Sequence, residues 1–216
     1  MSDAPENIVS VIASHAAEGL LLRLQWMTLE PASMLVMGRE VEGLSKELQA
    51  RYPEAVMGQS ERYDLIIANL ELPWQDNLLA VVKAWQAFLQ PGGLLMVTTL
   101  GLDTFKELPD QTAFMATKRD MHEIGDALVQ AGLSDPVMEV EHYNITYKDA
   151  TRMIAELSHE QLLARPLLSL PEQTEGKWHL TCEIVYGHAW FAESTSEEGV
   201  TKVPLSLLRE QLRRRD

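Results

Sequence analysis

The sequence predicts an α/β fold with a mainly parallel sheet, an antiparallel edge and helices on both faces. Three observations carry this. Leu65, Ile66, Ile67 and Ala68 form an apolar run inside 63–69, which suits a parallel strand covered on both faces. Leu78, Val81, Val82, Trp85 and Leu89 then recur at helical spacing. After Pro91-Gly92-Gly93 a second apolar run covers 94–99, and strand, crossover helix and strand in this order make a right-handed parallel unit. Asp76 is the expected N-cap of the helix and Pro91-Gly92-Gly93 its stop.

In chain order, residues 6–29 read as one or two helices, with Ile8, Val11, Ile12, Leu20, Leu21, Leu24 and Met27 at roughly helical spacing and Gly19 as a break. Met34–Met37 is a short strand before Gly38, and 41–51 a helix with Val41, Leu44 and Leu48 on one face. Tyr52–Met57 leads into a second strand. One strand–helix–strand unit takes about 30 residues, so 39–62 has room for a single helical crossover. Asp120–Leu128 reads as a helix with a capping box of Asp120 and Glu123, ended by Gly132. Between 146 and 177 one helix is expected, with Met153, Ile154 and Leu157 inward, followed by Leu162-Leu163. Residues 137–147 and 178–190 are long extended segments expected to pair antiparallel, with Leu180, Cys182, Ile184 and Tyr186 on one side of the second. Leu205, Leu208 and Leu212 suggest a C-terminal amphipathic helix.

Composition narrows function. The 216 residues suit one domain, with 46% hydrophobic residues to fill a core; we divide it into an N-terminal helical region (1–30), a sheet core (31–145), an insert (146–177), and an edge strand with terminal helix (178–216). No run approaches the ~18 apolar residues of a membrane span. MSDAPENIV lacks the positive flank of a signal peptide, and Cys182 is the only cysteine. The expected location is cytoplasmic. A net charge of −14 argues against a nucleic-acid partner. The one basic cluster, Arg209, Arg213, Arg214 and Arg215, reads as a solvated helix end. The histidines (His15, His122, His142, His159, His179, His188) show no metal-ligand spacing and read as structural; no metal is expected. Ser60, Ser134 and Ser158 lack a nucleophile-elbow context, and no catalytic residue stands out.

The segment 61–101, with Asn69 at the end of its first strand and Pro-Gly-Gly before its second, resembles class I S-adenosylmethionine-dependent methyltransferases. With TTLGLDTFKEL (98–108), DMHEIGDALVQAGLSDPVMEVE (120–141) and YGHAW (186–190), it is similar to the malonyl-acyl-carrier-protein O-methyltransferases of biotin synthesis. The resemblance covers most of 17–190 and implies a Rossmann-like fold, S-adenosylmethionine as cofactor and acyl carrier protein as partner. It assigns Gly38, Asn69 and Leu70 to a vestigial cofactor site and Trp74 to the substrate pocket; Glu71, a carboxylate close to Asn69, is a further pocket candidate as a base.

The family's cofactor loop, D-x-G-x-G-x-G, is reduced here to Met34-Leu35-Val36-Met37-Gly38-Arg39-Glu40. The acidic residue that holds the cofactor's ribose has no counterpart in Met57-Gly58-Gln59-Ser60, and Pro73 replaces a family Gln before Trp74. One strand and its helix are expected to be missing. The N-terminal arm and the insert before YGHAW are expected to be shortened. Three readings follow: a non-catalytic partner or regulator that does not bind the cofactor and works as a homodimer or on another protein; an active methyltransferase of the biotin-pathway type; or a different chemistry, such as protein hydroxylation, on the same scaffold.

Overall fold

The computed structural model describes residues 7–110, 113–114, 116–159, 162–163, 165–167 and 169–192. In order it holds α1 (Ile8–Leu24), β1 (Ser33–Gly38), α2 (Val41–Arg51), β2 (Val56–Met57), β3 (Tyr63–Asn69), a 3-10 turn (Leu72–Trp74), α3 (Leu78–Ala87), β4 (Leu89–Leu100), α4 (Met121–Gln130), β5 (Leu133–Tyr147), α5 (Ala150–His159) and β6 (Trp178–Phe191). The terminal arginines and the expected helix of Leu205, Leu208 and Leu212 lie outside the described residues.

The sheet order is β2-β1-β3-β4-β6-β5. β1, β3 and β4 run parallel, in the order expected from sequence, and β6 and β5 add antiparallel at one edge. The other edge is the two-residue β2, parallel to β1 through Ser33–Val56 and Met34–Met57. α2 is the one helix between β1 and β3, and residues 58–62 hold no helix, as the count over 39–62 requires. The fold is thus a reduced Rossmann-like sheet of six strands among the described residues.

Each strand face has its own core. On one side α1, α2 and α5 pack Leu20, Leu48 and Met153 against Leu65, Ile67, Met96, Ile184 and Tyr186. On the other, α3 and α4 pack Val82, Trp85, Ile124 and Leu128 against Ile66, Leu95 and Val97. That double cover is why 65–68 is uniformly apolar: all four residues are fully buried. The start of β1 is pinned by Asp64, whose Oδ2 accepts from the Ala32 and Ser33 amides at 3.0 and 2.9 Å.

Several expectations need correction. α1 is a single helix, and Gly19 does not break it. Glycine is there because the Tyr186 ring lies on it: a Cβ would come within 2.6 Å of Tyr186 Cε1. α3 is capped by Asn77, not Asp76, through the Ala80 amide at 3.0 Å. It ends at Ala87, so Leu89 belongs to β4 rather than to the helical stripe. Pro91-Gly92-Gly93 is a bulge within β4, not a helix stop: Tyr63 pairs with Leu89 and Leu65 with Leu94, so 90–93 loop out opposite Asp64. Gly93 fits there because a Cβ would meet the Gln90 carbonyl at 2.8 Å. At α4, Asp120 caps the His122 amide at 2.7 Å, one residue short of the expected capping box.

A Gly→Ala change at an exposed helix position gains roughly 0.5–1 kcal/mol. At Gly19 the sign should reverse, because the added methyl must displace a fully packed tyrosine. Gly19→Ala is expected to lower unfolding stability by about 1–3 kcal/mol, read as a lower urea midpoint with unchanged slope. An unchanged or raised midpoint would contradict the packing described.

Candidate functional site

In open α/β sheets, ligands sit outside the carboxyl ends of the strands at the point where strand order reverses. Here that point is the crevice between β1 and β3, where Gly38 and Asn69 are paired neighbours. The sequence thus places Gly38, Asn69 and Leu70 together, and the fold keeps them together.

Their contacts, however, are internal. Asn69 is fully buried. Its Nδ2 donates to the Ala13 carbonyl in α1 and to the Arg39 carbonyl, both at 3.0 Å. Its Oδ1 accepts from Thr98 Oγ1 of β4 at 2.7 Å. Both amide protons and the side-chain oxygen are therefore engaged. Thr98 Oγ1 in turn accepts from the Leu70 amide at 2.9 Å, which holds Leu70 at φ 50°, buried. The Arg39 amide donates to the Asn69 carbonyl at 2.7 Å. This approach of two chains leaves no room for a side chain at position 38: a Gly38 Cβ would lie 2.9 Å from the Asn69 carbonyl carbon, and Gly38 has φ 92°.

The β1–α2 connection is thus only Arg39 and Glu40. Glu40 takes φ 55° as the residue before α2. Its carboxylate folds back to the helix start, where a Gly43 Cβ would meet Oε1 at 2.7 Å. Helix N-termini attract anions. The Glu40 carboxylate makes no capping hydrogen bond to α2, but it brings a negative charge close to the helix start, where it disfavours an anionic ligand group. What remains between α1 and the Arg39-Glu40 turn is a cleft of about 230 Å³ lined by Asn7, Val9, Ser10, Ala13, Arg39 and Glu40, below the ~300–1,000 Å³ usual for small-molecule sites.

The expected substrate-pocket residues sit just beyond. Trp74 ends the 3-10 turn, with the Arg39 guanidinium 4.6 Å above its ring. Glu71 accepts from Gln75 Nε2 at 2.8 Å, so it braces its own turn. Arg119, buried, donates to the Gln75 carbonyl through Nη2 and closes this turn from the far side. Sequence reading missed Arg119; its pattern is that of a surface cation, and only the fold shows that it is enclosed. Cys182 is buried under α1, and burial, helped by the neighbouring Glu183 charge, pushes its thiol up to about 12, which makes it a packing group rather than a nucleophile.

Removing the Asn69 amide leaves buried partners without bonds, each costing about 1–3 kcal/mol. Asn69→Ala is expected to destabilise the chain by about 2–4 kcal/mol in chemical denaturation. A pocket-lining asparagine facing solvent would leave stability nearly unchanged, and that result would contradict the bonding above.

No protein-family model matches the chain. It is 36% identical over 150 residues to the malonyl-[acyl-carrier protein] O-methyltransferase of Methylovorus sp. (strain MP688), an alignment covering 59% of this chain and 51% of that protein. With the protein of the same name from Gallionella capsiferriformans (strain ES-2) the identity is 35% over 160 residues, covering 63% and 55%. The chain spans about half the length of these two relatives. Malonyl-[acyl-carrier protein] O-methyltransferase 1 of Coxiella burnetii is 29% identical over 238 residues, covering 87% of this chain and 84% of that one. The crystal structure of the YcgJ protein from Bacillus subtilis superposes with a TM-score of 0.51 at 10% identity, covering 83% of this chain and all of that one, a likeness of fold alone. The chain is thus related in sequence to the malonyl-[acyl-carrier protein] O-methyltransferases and carries a Rossmann-like methyltransferase fold.

Proposed function

We propose that this chain is a methyltransferase-fold protein that does not bind S-adenosylmethionine and serves as a non-catalytic partner, either of a second copy or of an intact methyltransferase. The observation that carries the reading is the closure of the β1–β3 crevice by Asn69, whose side chain is used up on Ala13, Arg39 and Thr98. The residues present do not fit the cofactor. Gly38 faces the Asn69 backbone, Glu40 places a carboxylate at the start of α2, and the turn after β2 offers Gly58, Gln59 and Ser60 where a ribose would need an acid.

Association is supported by what the reduced sheet leaves open. α3 and α4 cover the second face over β3, β4 and β6, while Leu35 and Met37 of β1 are only partly covered at its margin. Beside them Val56 on the edge strand is 46% exposed. Open strand edges and contiguous apolar margins favour pairing with another chain.

The sequence relationship favours a second reading, an O-methyltransferase acting on a malonyl group carried by acyl carrier protein. Calorimetric titration separates the two. We expect no heat of binding with S-adenosylmethionine or S-adenosylhomocysteine up to millimolar ligand; micromolar affinity for either would overturn the main reading. Light scattering after size exclusion tests association: a dimer, or a stable complex with a co-expressed methyltransferase relative, is expected, and a monomer that forms neither would contradict it.

A further inference from the structure

The fold gathers three side chains that are far apart in the chain. Asp103 follows the carboxyl end of β4, His142 lies on β5 and Glu183 on β6, paired directly across from His142. One ligand atom from each lies within 4.8 Å of the others, and His142 Nε2 is 3.8 Å from Asp103 Oδ2. Cys182 and Ile184 point into the core beneath α1, so by the alternation of β6 Glu183 faces the opposite side of the sheet.

The group is shaped by its surroundings. A Cβ on Gly101 would come within 2.6 Å of Glu183 Cγ, so the glycine makes room for this carboxylate over the end of β4. Glu183 Oε2 accepts the Asp103 amide at 2.5 Å, which fixes its orientation. Asp103 and His142 are about half exposed, with relative side-chain exposures of 48% and 50%, so solvent reaches the group.

Among the described residues, the charges beside the group include Lys106, Lys118 and Glu107. Lys106 Nζ lies 2.8 Å from Asp103 Oδ2. Lys118 donates to the Thr104 carbonyl at 3.1 Å, close enough to Asp103 and Glu183 to feel both charges. Glu107 is spent on the amide and hydroxyl of Thr181.

We propose that Asp103, His142 and Glu183 form a site for one divalent transition-metal ion of the Zn²⁺, Co²⁺ or Mn²⁺ class. One imidazole and two carboxylates suit borderline ions and leave positions for water. A tetrahedral ion with bonds of roughly 2.0–2.2 Å holds its ligands about 3.4 Å apart, so filling the site draws the three groups inward. Without the ion, Lys106 supplies the countercharge to Asp103. Its ammonium sits on a flexible stem, 52% exposed, and is free to swing out when an ion enters. The site is on the opposite sheet face from the Asn69–Ala13 contact with α1, and it does not rest on whether the cofactor is bound.

The test is titration of the untagged full chain with Zn²⁺, Co²⁺ and Mn²⁺ by calorimetry, with the Co²⁺ visible spectrum as a second readout. One ion per chain is expected, with an imidazole-ligated Co²⁺ spectrum. His142→Ala and Glu183→Gln should each weaken binding by at least about tenfold while the circular dichroism spectrum is unchanged. Lys106→Ala removes the competing cation at an exposed position and should tighten binding severalfold. Absence of binding at millimolar ion, an affinity unchanged in folded His142→Ala, or weaker binding in Lys106→Ala would each overturn the proposal.

Discussion

The side chain of Asn69 is the tie on which the rest of the structure depends. A buried carboxamide must find partners for two donors and one acceptor or lose the free energy of its hydration. Here it finds them in three different elements: a carbonyl of α1, a carbonyl of the turn after β1, and a hydroxyl of β4. One residue thereby fixes the height of α1 over the sheet, the path of the chain leaving β1 and the register of the two central strands. Gly38 follows from this arrangement, since only a residue without a side chain can pass so close to the Asn69 backbone. So does the shape of the Leu70 corner, which the same threonine holds.

Around that tie the helix-side contacts reinforce one another. Arg23, near the end of α1, lies 3.6 Å above the Tyr186 ring and reaches Glu139 and Glu141 of β5 at 2.6 and 2.9 Å. Tyr143 also donates to Glu141, and Arg23, itself largely covered, meets two carboxylates that are about half exposed. α1 is thus held in its first half by Asn69, further along by the Gly19–Tyr186 contact and near its C-terminal end by Arg23. α1 lies across one face of the sheet, and its Ala13 contact with Asn69 is the one that reaches the β1–β3 crevice.

The sheet was legible in the sequence because burial on both faces writes itself as an unbroken apolar run at 65–68 and as alternation at 180–186. The missing crossover was legible from spacing alone. What could not be read depends on distant partners. Gly19 resembles a helix breaker until Tyr186 is known to lie against it. Pro91-Gly92-Gly93 carries the composition of a helix stop, and only the pairing of Leu65 with Leu94 shows it to be a bulge. The sequence places Asn69 at the end of its strand, as β3 does, but which way its amide turns is decided by Ala13 and Arg39. The convergence of Asp103, His142 and Glu183 is invisible in sequence because each comes from a different strand or its end.

The closure of the crevice is tested most directly by NMR of the Asn69 side-chain amide, assigned by comparison with Asn69→Asp. With both protons bonded to backbone carbonyls inside the protein, the resonances should exchange slowly with solvent and keep their shifts in millimolar S-adenosylmethionine. Rapid exchange, or a shift that saturates with added ligand, would show the amide to face an open pocket and would contradict the account.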